Sequence, residues 1–162
     1  MSQIKDPAII LLFCATAALA AALTSQYAFG LLPCPLCIYQ RIPYVVVICL
    51  ALLGLVLRGN TRLATLLVGL CGLAFCIGSG LALYHTGVEQ HWWAGPASCS
   101  GGIGTANSVE DLISQLSRPI KVPACDEVAW SLFGISMAGY NLLASIALAT
   151  FSLVTALRRW KS

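Results

Sequence analysis

Charge is what this sequence has least of. Of 162 residues, 9% are Asp, Glu, Lys or Arg, against about 25% in an average soluble domain. So few charges cannot cover a water-soluble globule of this size. A soluble enzyme, a disordered tail and a nucleic-acid binder are therefore excluded. A second Cys-x-x-Cys knuckle is missing, which argues against a four-cysteine metal site. Haem attachment needs His directly after the second Cys, and Ile38 stands there.

What is present is apolar: 59% of the chain is hydrophobic, at a length that allows one domain, residues 1–162. A bilayer core of about 30 Å needs roughly 20 apolar helical residues. Four stretches meet or approach that, at about 8–29, 34–57, 63–84 and 128–157. In lipid a lone strand leaves its backbone unpaired, so each reads as a helix. The second is short unless Arg41 sits at its outer boundary, and Pro43 falls in its first turn. The apolar run of the first continues past Ala18-Leu19-Ala20, so it reads as an uncleaved span rather than a signal peptide.

The expected fold is thus an all-α four-helix transmembrane bundle with one short and one long outer loop, the latter about 85–127. With both termini inside, the inner side carries Lys5, Arg58, Arg62, Arg158, Arg159 and Lys161. The outer side carries Arg41, Arg118 and Lys121. Six against three favours this orientation. Tyr84, Trp92, Trp93 and Trp130 then form an outer aromatic belt. Small residues four apart, at Gly72, Cys76 and Gly80 and at Gly134 and Ala138, read as packing seams. In the long loop, Ser108-Val109-Glu110-Asp111 has capping-box spacing. Val109, Leu112, Ile113 and Leu116 share one helical face, the pattern of a short helix lying in the interface.

The eight cysteines divide by position. Cys14, Cys49, Cys71 and Cys76 lie within apolar spans and read as small hydrophobes. Cys34, Cys37, Cys99 and Cys125 all fall on the outer face. Four thiols allow three pairings, and spacing favours Cys34–Cys37 with Cys99–Cys125. Pro33-Cys34-Pro35-Leu36-Cys37 sits where the second span begins, and helix N-terminal amides stabilise a thiolate. Arg41, four residues after Cys37, shares its helical face and can hold a thiolate or an oxyanion. Cys99 precedes Ser100-Gly101-Gly102-Ile103-Gly104, so the second pair is expected exposed on a mobile loop. One pair at the lipid edge beside a cation and one open to water suggest an electron relay from a soluble dithiol to a lipid-borne two-electron acceptor, a quinone. Two structural staples in a membrane protein are the alternative.

Cys34-Pro-Leu-Cys37-Ile-Tyr-Gln-Arg41 resembles the Cys-x-x-Cys-x-x-x-Arg signature of the bacterial disulfide bond formation protein B (DsbB) family. The four spans, the Cys99/Cys125 pair, Cys125-Asp126-Glu127-Val128-Ala129-Trp130 and Leu83-Tyr84-His85-Thr86 are similar to its layout. The resemblance covers about residues 8–157. It implies an enzyme of the bacterial inner membrane, multi-pass with both termini cytoplasmic. Such an enzyme reoxidises a periplasmic DsbA-like thiol oxidase and passes two electrons to ubiquinone or menaquinone. By the same resemblance Cys99 is attacked by the partner, and Cys125 exchanges with the first pair through a transient Cys34–Cys125 bridge. Cys37 faces the quinone, while Arg41, His85 and Met137 belong to its pocket. His91 has no matching role. A related branch oxidising a dedicated partner remains open. A vitamin K epoxide reductase relative would carry its Cys-x-x-Cys near the fourth span instead.

Overall fold

The computed structural model describes residues 6–96, 99, 108, 109, 113 and 123–161. Helix α1, Pro7–Tyr27, starts where the Asp6 side chain accepts from the Ala8 amide at 3.1 Å and Pro7 presets the first turn. Helix α2, Pro35–Tyr39, and helix α3, Arg41–Val56, meet at Gln40 and act as one span. Helix α4, Thr61–Glu89, opens on an Asn60 cap that accepts from the Leu63 amide. A short antiparallel ladder, β1 Ser131–Leu132 with β2 Ile135–Ser136, leads into helix α5, Met137–Lys161.

The chain is therefore a multi-pass membrane protein built as a four-helix bundle. Four helical segments have the length and apolarity to cross a bilayer. Helix α4 packs against α3 and α5, and α1 packs against α3. Leu11, Tyr44, Val47, Val68 and Phe75 fill the shared core. Large side chains such as Phe13, Leu73, Ile77 and Leu157 point outward instead. Outward apolar faces on every helix suit lipid, not water.

Several boundaries differ from the sequence expectation. The fourth helix begins at Met137, not near residue 128, because Phe133 and Gly134 adopt φ of +51° and +78° and turn the chain into the ladder. The Ser136 hydroxyl then caps the helix by accepting from the Gly139 amide at 3.1 Å. Gly134 thus belongs to a turn rather than to a packing seam. On α4 the expected seam is realised only at Gly72, where a Cβ would come within 2.8 Å of Leu153. Gly80 meets nothing, and Cys76 is exposed.

Helix α4 also runs five residues beyond the expected end at Tyr84. Its 29 residues measure about 44 Å at 1.5 Å each, well over the hydrocarbon thickness of about 30 Å. The helix ends in a Schellman arrangement: Trp92 N–H bonds to Gly87 O at 2.9 Å and His91 N–H to Val88 O at 3.0 Å. His91 occupies the left-handed position, φ +59°. Of the expected interfacial helix, Val109 and Ile113 are helical and exposed. Glu110–Leu112 and 114–122 lie outside the described residues.

Candidate redox site

The four outer cysteines come together at one end of the bundle. Cys99 and Cys125 are disulfide-bonded. Cys34 and Cys37 are free thiols with sulfurs 3.0 Å apart. Cys34, Leu36, Val88, Cys99 and Cys125 form one buried cluster, with Cys37 packed against it. This corrects one expectation: the Cys99–Cys125 pair is not exposed. Cys99 is 2% and Cys125 0% accessible. The chain after α4 folds back rather than reaching into solvent. The Trp93 ring stacks on Tyr84 with centroids 6.0 Å apart, and its indole N–H donates to Tyr84 O at 2.9 Å. Tyr84 O–H donates in turn to Ala94 O. The ring lies so close over Gly87 that any Cβ there would overlap it.

Cys34 is the N-cap of α2, and its sulfur accepts from the Cys37 amide at 3.3 Å. One residue ahead of the second span, its thiol is lowered to about 4. The largest cause is the hydrogen bond with the Cys37 thiol. Burial opposes the shift, while the hydrogen bond to His85 and the Cys37 amide assist it. In the reduced pair the negative charge therefore rests on Cys34.

Cys37 instead lines a cavity of about 270 Å³ whose walls come from α1, α2, α3, α4 and α5. Arg41, His85 and Met137 share that wall with Cys37, so all three expected pocket residues meet there. The Arg41 guanidinium donates to Gln26 Oε1 on α1 at 2.6 Å. His85 is buried, with Nε2 at 3.5 Å from Cys34 Sγ. Cys34, Cys37 and His85 are also close enough together to ligate a metal ion, though a redox dithiol beside a histidine presents the same geometry.

Sequence reasoning missed a polar network behind His85. Gln40 Nε2 lies 2.6 Å from His85 Nδ1. Asn141 Nδ2 donates to Gln40 Oε1, and Tyr44 O–H donates to Asn141 Oδ1. On the other side, the buried Glu89 approaches His85 Nε2 at 3.9 Å and accepts from the Ser136 hydroxyl. The signals were present: amides at Gln40 and Asn141 within apolar spans, and Glu89 four residues after His85. Among the described residues no buried side-chain nitrogen or oxygen lacks a partner.

A second cavity, about 330 Å³, is lined by Cys99 with Val88, His91, Trp93 and Asp126. Cys37 does not line it.

Comparison with known proteins follows this geometry. Residues 5–155 match the family described as disulfide bond formation protein DsbB. An uncharacterized protein of Rickettsia prowazekii (strain Madrid E) is 33% identical over 144 residues, covering 88% of this chain and 82% of that protein. Disulfide bond formation protein B of Dechloromonas aromatica (strain RCB) is 31% identical over 140 residues, 83% of this chain and 81% of its own. Its namesake in Chromohalobacter salexigens is 33% identical over 135 residues, covering 82% and 78%. No solved structure matches. A disulfide-forming membrane oxidoreductase is what this lineage denotes, and the chain belongs to the DsbB family of disulfide bond formation proteins.

Proposed function

We propose that this protein reoxidises a DsbA-like thiol oxidase of the periplasm and delivers the electrons to a membrane quinone, ubiquinone or menaquinone. The observation that carries the reading is the convergence of both cysteine pairs in one cluster, with Cys37 alone of the four in the wall of the cavity that Arg41, His85 and Met137 also line. That cavity fits a quinone headgroup. It is apolar over most of its wall, Arg41 offers N–H donors to a ring oxygen, and His85 shares the wall while its ring nitrogens face Cys34 and Gln40. When bound, the quinone would accept the two electrons and two protons released as Cys34 and Cys37 close into a disulfide.

The protein's own steps are thiol–disulfide exchanges. The partner's thiolate attacks Cys99, breaking the Cys99–Cys125 bond and leaving Cys125 as a thiolate. Cys125 attacks Cys34 of an oxidised Cys34–Cys37 pair. A Cys34–Cys125 bridge forms, and the electron pair of the broken bond stays on Cys37. The partner's second thiol then attacks the mixed disulfide and frees Cys99, so the partner leaves oxidised. Cys99 in turn attacks Cys125, restoring the loop disulfide and releasing Cys34 as a thiolate. Each step breaks one S–S bond and forms another. At the end two electrons rest on Cys34 and Cys37. The hydrogen bonds to Cys34 from His85 and the Cys37 amide make it a good leaving group in the last exchange.

The six-to-three basic asymmetry supports placing both termini in the cytoplasm and the site at the periplasmic face of the inner membrane. The test is purified protein with quinone and a reduced periplasmic dithiol protein, following quinone absorbance. Catalytic bleaching that needs Cys37 is the expected result. No bleaching, with only a stability loss in Cys37→Ala, would identify the disulfide as a staple.

A further inference from the structure

Histidine is ambiguous toward a sulfur: a ring nitrogen bearing hydrogen donates to a thiolate, while a bare one competes for the proton. Here the surrounding amides decide. Tyr44 O–H has Asn141 Oδ1 as its acceptor, which turns Asn141 Nδ2 toward Gln40 Oε1. Gln40 must then present its Nε2 to His85, 2.6 Å from Nδ1. An amide N–H facing Nδ1 requires that nitrogen to be the acceptor. The remaining hydrogen of a neutral imidazole therefore sits on Nε2, the nitrogen 3.5 Å from Cys34 Sγ.

We propose that Gln40 and Asn141 are positioning residues that fix His85 in its Nε2–H tautomer, aimed at Cys34. This rests on the redox reading above, in which Cys34 leaves as a thiolate. The chain of bonds joins α3, α4 and α5 and is buried where it meets the ring. The titratable groups facing that ring are Cys34, Cys37 and Glu89. Glu89 Oε1 is a more distant acceptor at 3.9 Å, and its other oxygen is engaged by Ser136. Tyr44 also reaches Ser145, which steadies the far end of the chain.

The chain has two histidines, so nitrogen-15 labelling of His with a His91→Gln variant isolates the His85 ring by NMR of the full protein in lipid nanodiscs. The Nε2–H tautomer is expected, giving way to a mixture in Asn141→Leu and in Tyr44→Phe. The Nδ1–H tautomer in the parent, or an unaltered spectrum in both variants, would overturn the proposal. The second readout is alkylation of Cys34 in reduced protein against pH, quantified on its own peptide. Asn141→Leu should raise the midpoint by roughly one pH unit, the scale of a lost hydrogen bond to the charged form, and should add nothing in a His85→Ala background. An equal shift in that background would mean Asn141 acts only as packing, which also overturns it. Neither readout uses quinone or partner, so both can fail while quinone reduction survives.

Discussion

Gly87→Ala should open the loop disulfide to attack. The added Cβ cannot coexist with the Trp93 ring. Trp93 must therefore leave its stack on Tyr84 and its hydrogen bond to Tyr84 O. An aromatic pair is worth about 0.5–1.5 kcal/mol, and a hydrogen bond about 0.5–1.5 kcal/mol net. Because Trp93 stays partly exposed, we take about 2 kcal/mol in total from the two contributions. If Cys99 reacts through a transient lifting of this segment, the open population rises about 30-fold, at tenfold per 1.4 kcal/mol. The assay is the rate at which dithiothreitol reduces Cys99–Cys125 in the purified protein, read by quenching with an alkylating agent. Gly80→Ala is the control, since a Cβ there touches nothing. A Gly87→Ala rate within twofold of the parent would refute the view that the Trp93 contact governs access to Cys99.

Four further outcomes are expected. Arg41→Ala should raise the apparent quinone KM at least about tenfold, since a hydrogen bond from a charged donor is worth about 1.5–3 kcal/mol; steady-state kinetics with a soluble quinone analogue measure it. Cys125→Ser should accumulate a mixed disulfide between Cys99 and the partner, visible as a shifted band on a non-reducing gel. Replacing Cys14, Cys49, Cys71 and Cys76 together with Ala should leave turnover within about twofold, because none of the four belongs to the sulfur cluster or lines the cavity beside Cys37 and a free Cys in an apolar setting acts as a small hydrophobe; loss of turnover would overturn the division of the cysteines. With its thiol lowered to about 4, Cys34 should alkylate at a pH-independent rate from neutral down to mildly acidic conditions. Its rate should fall only as pH drops through that value, whereas an ordinary thiol loses reactivity already below its much higher midpoint. Peptide-resolved alkylation rates separate the two.

The bundle was legible in the sequence because length and apolarity suffice to specify a membrane helix. The cysteine division was legible because position relative to those spans is itself a chemical statement. The burial of Cys99 was not. A Gly-rich run after it signals freedom, but the segment before it is anchored by an aromatic stack whose partners lie nine residues apart. No periodicity encodes such a contact. The start of α5 was missed for a similar reason. Val128–Ser136 carries no charged residue, but φ at Phe133 and Gly134 turns the chain before the helix can begin. Gln40 and Asn141 were passed over because a single amide in an apolar run looks incidental until its partner, about a hundred residues away, is seen.

One turn of α4 serves as a common datum for the chemistry. His85 on that turn faces Cys34, Val88 packs in the cluster with Cys99 and Cys125, and Glu89 holds Ser136 at the head of α5. Both sulfur pairs thus share a single stiff rod as well as their own mutual packing. Jostling by lipid or a docking protein would carry the two together, so the short approach that lets one sulfur bond to the other would start from the same place.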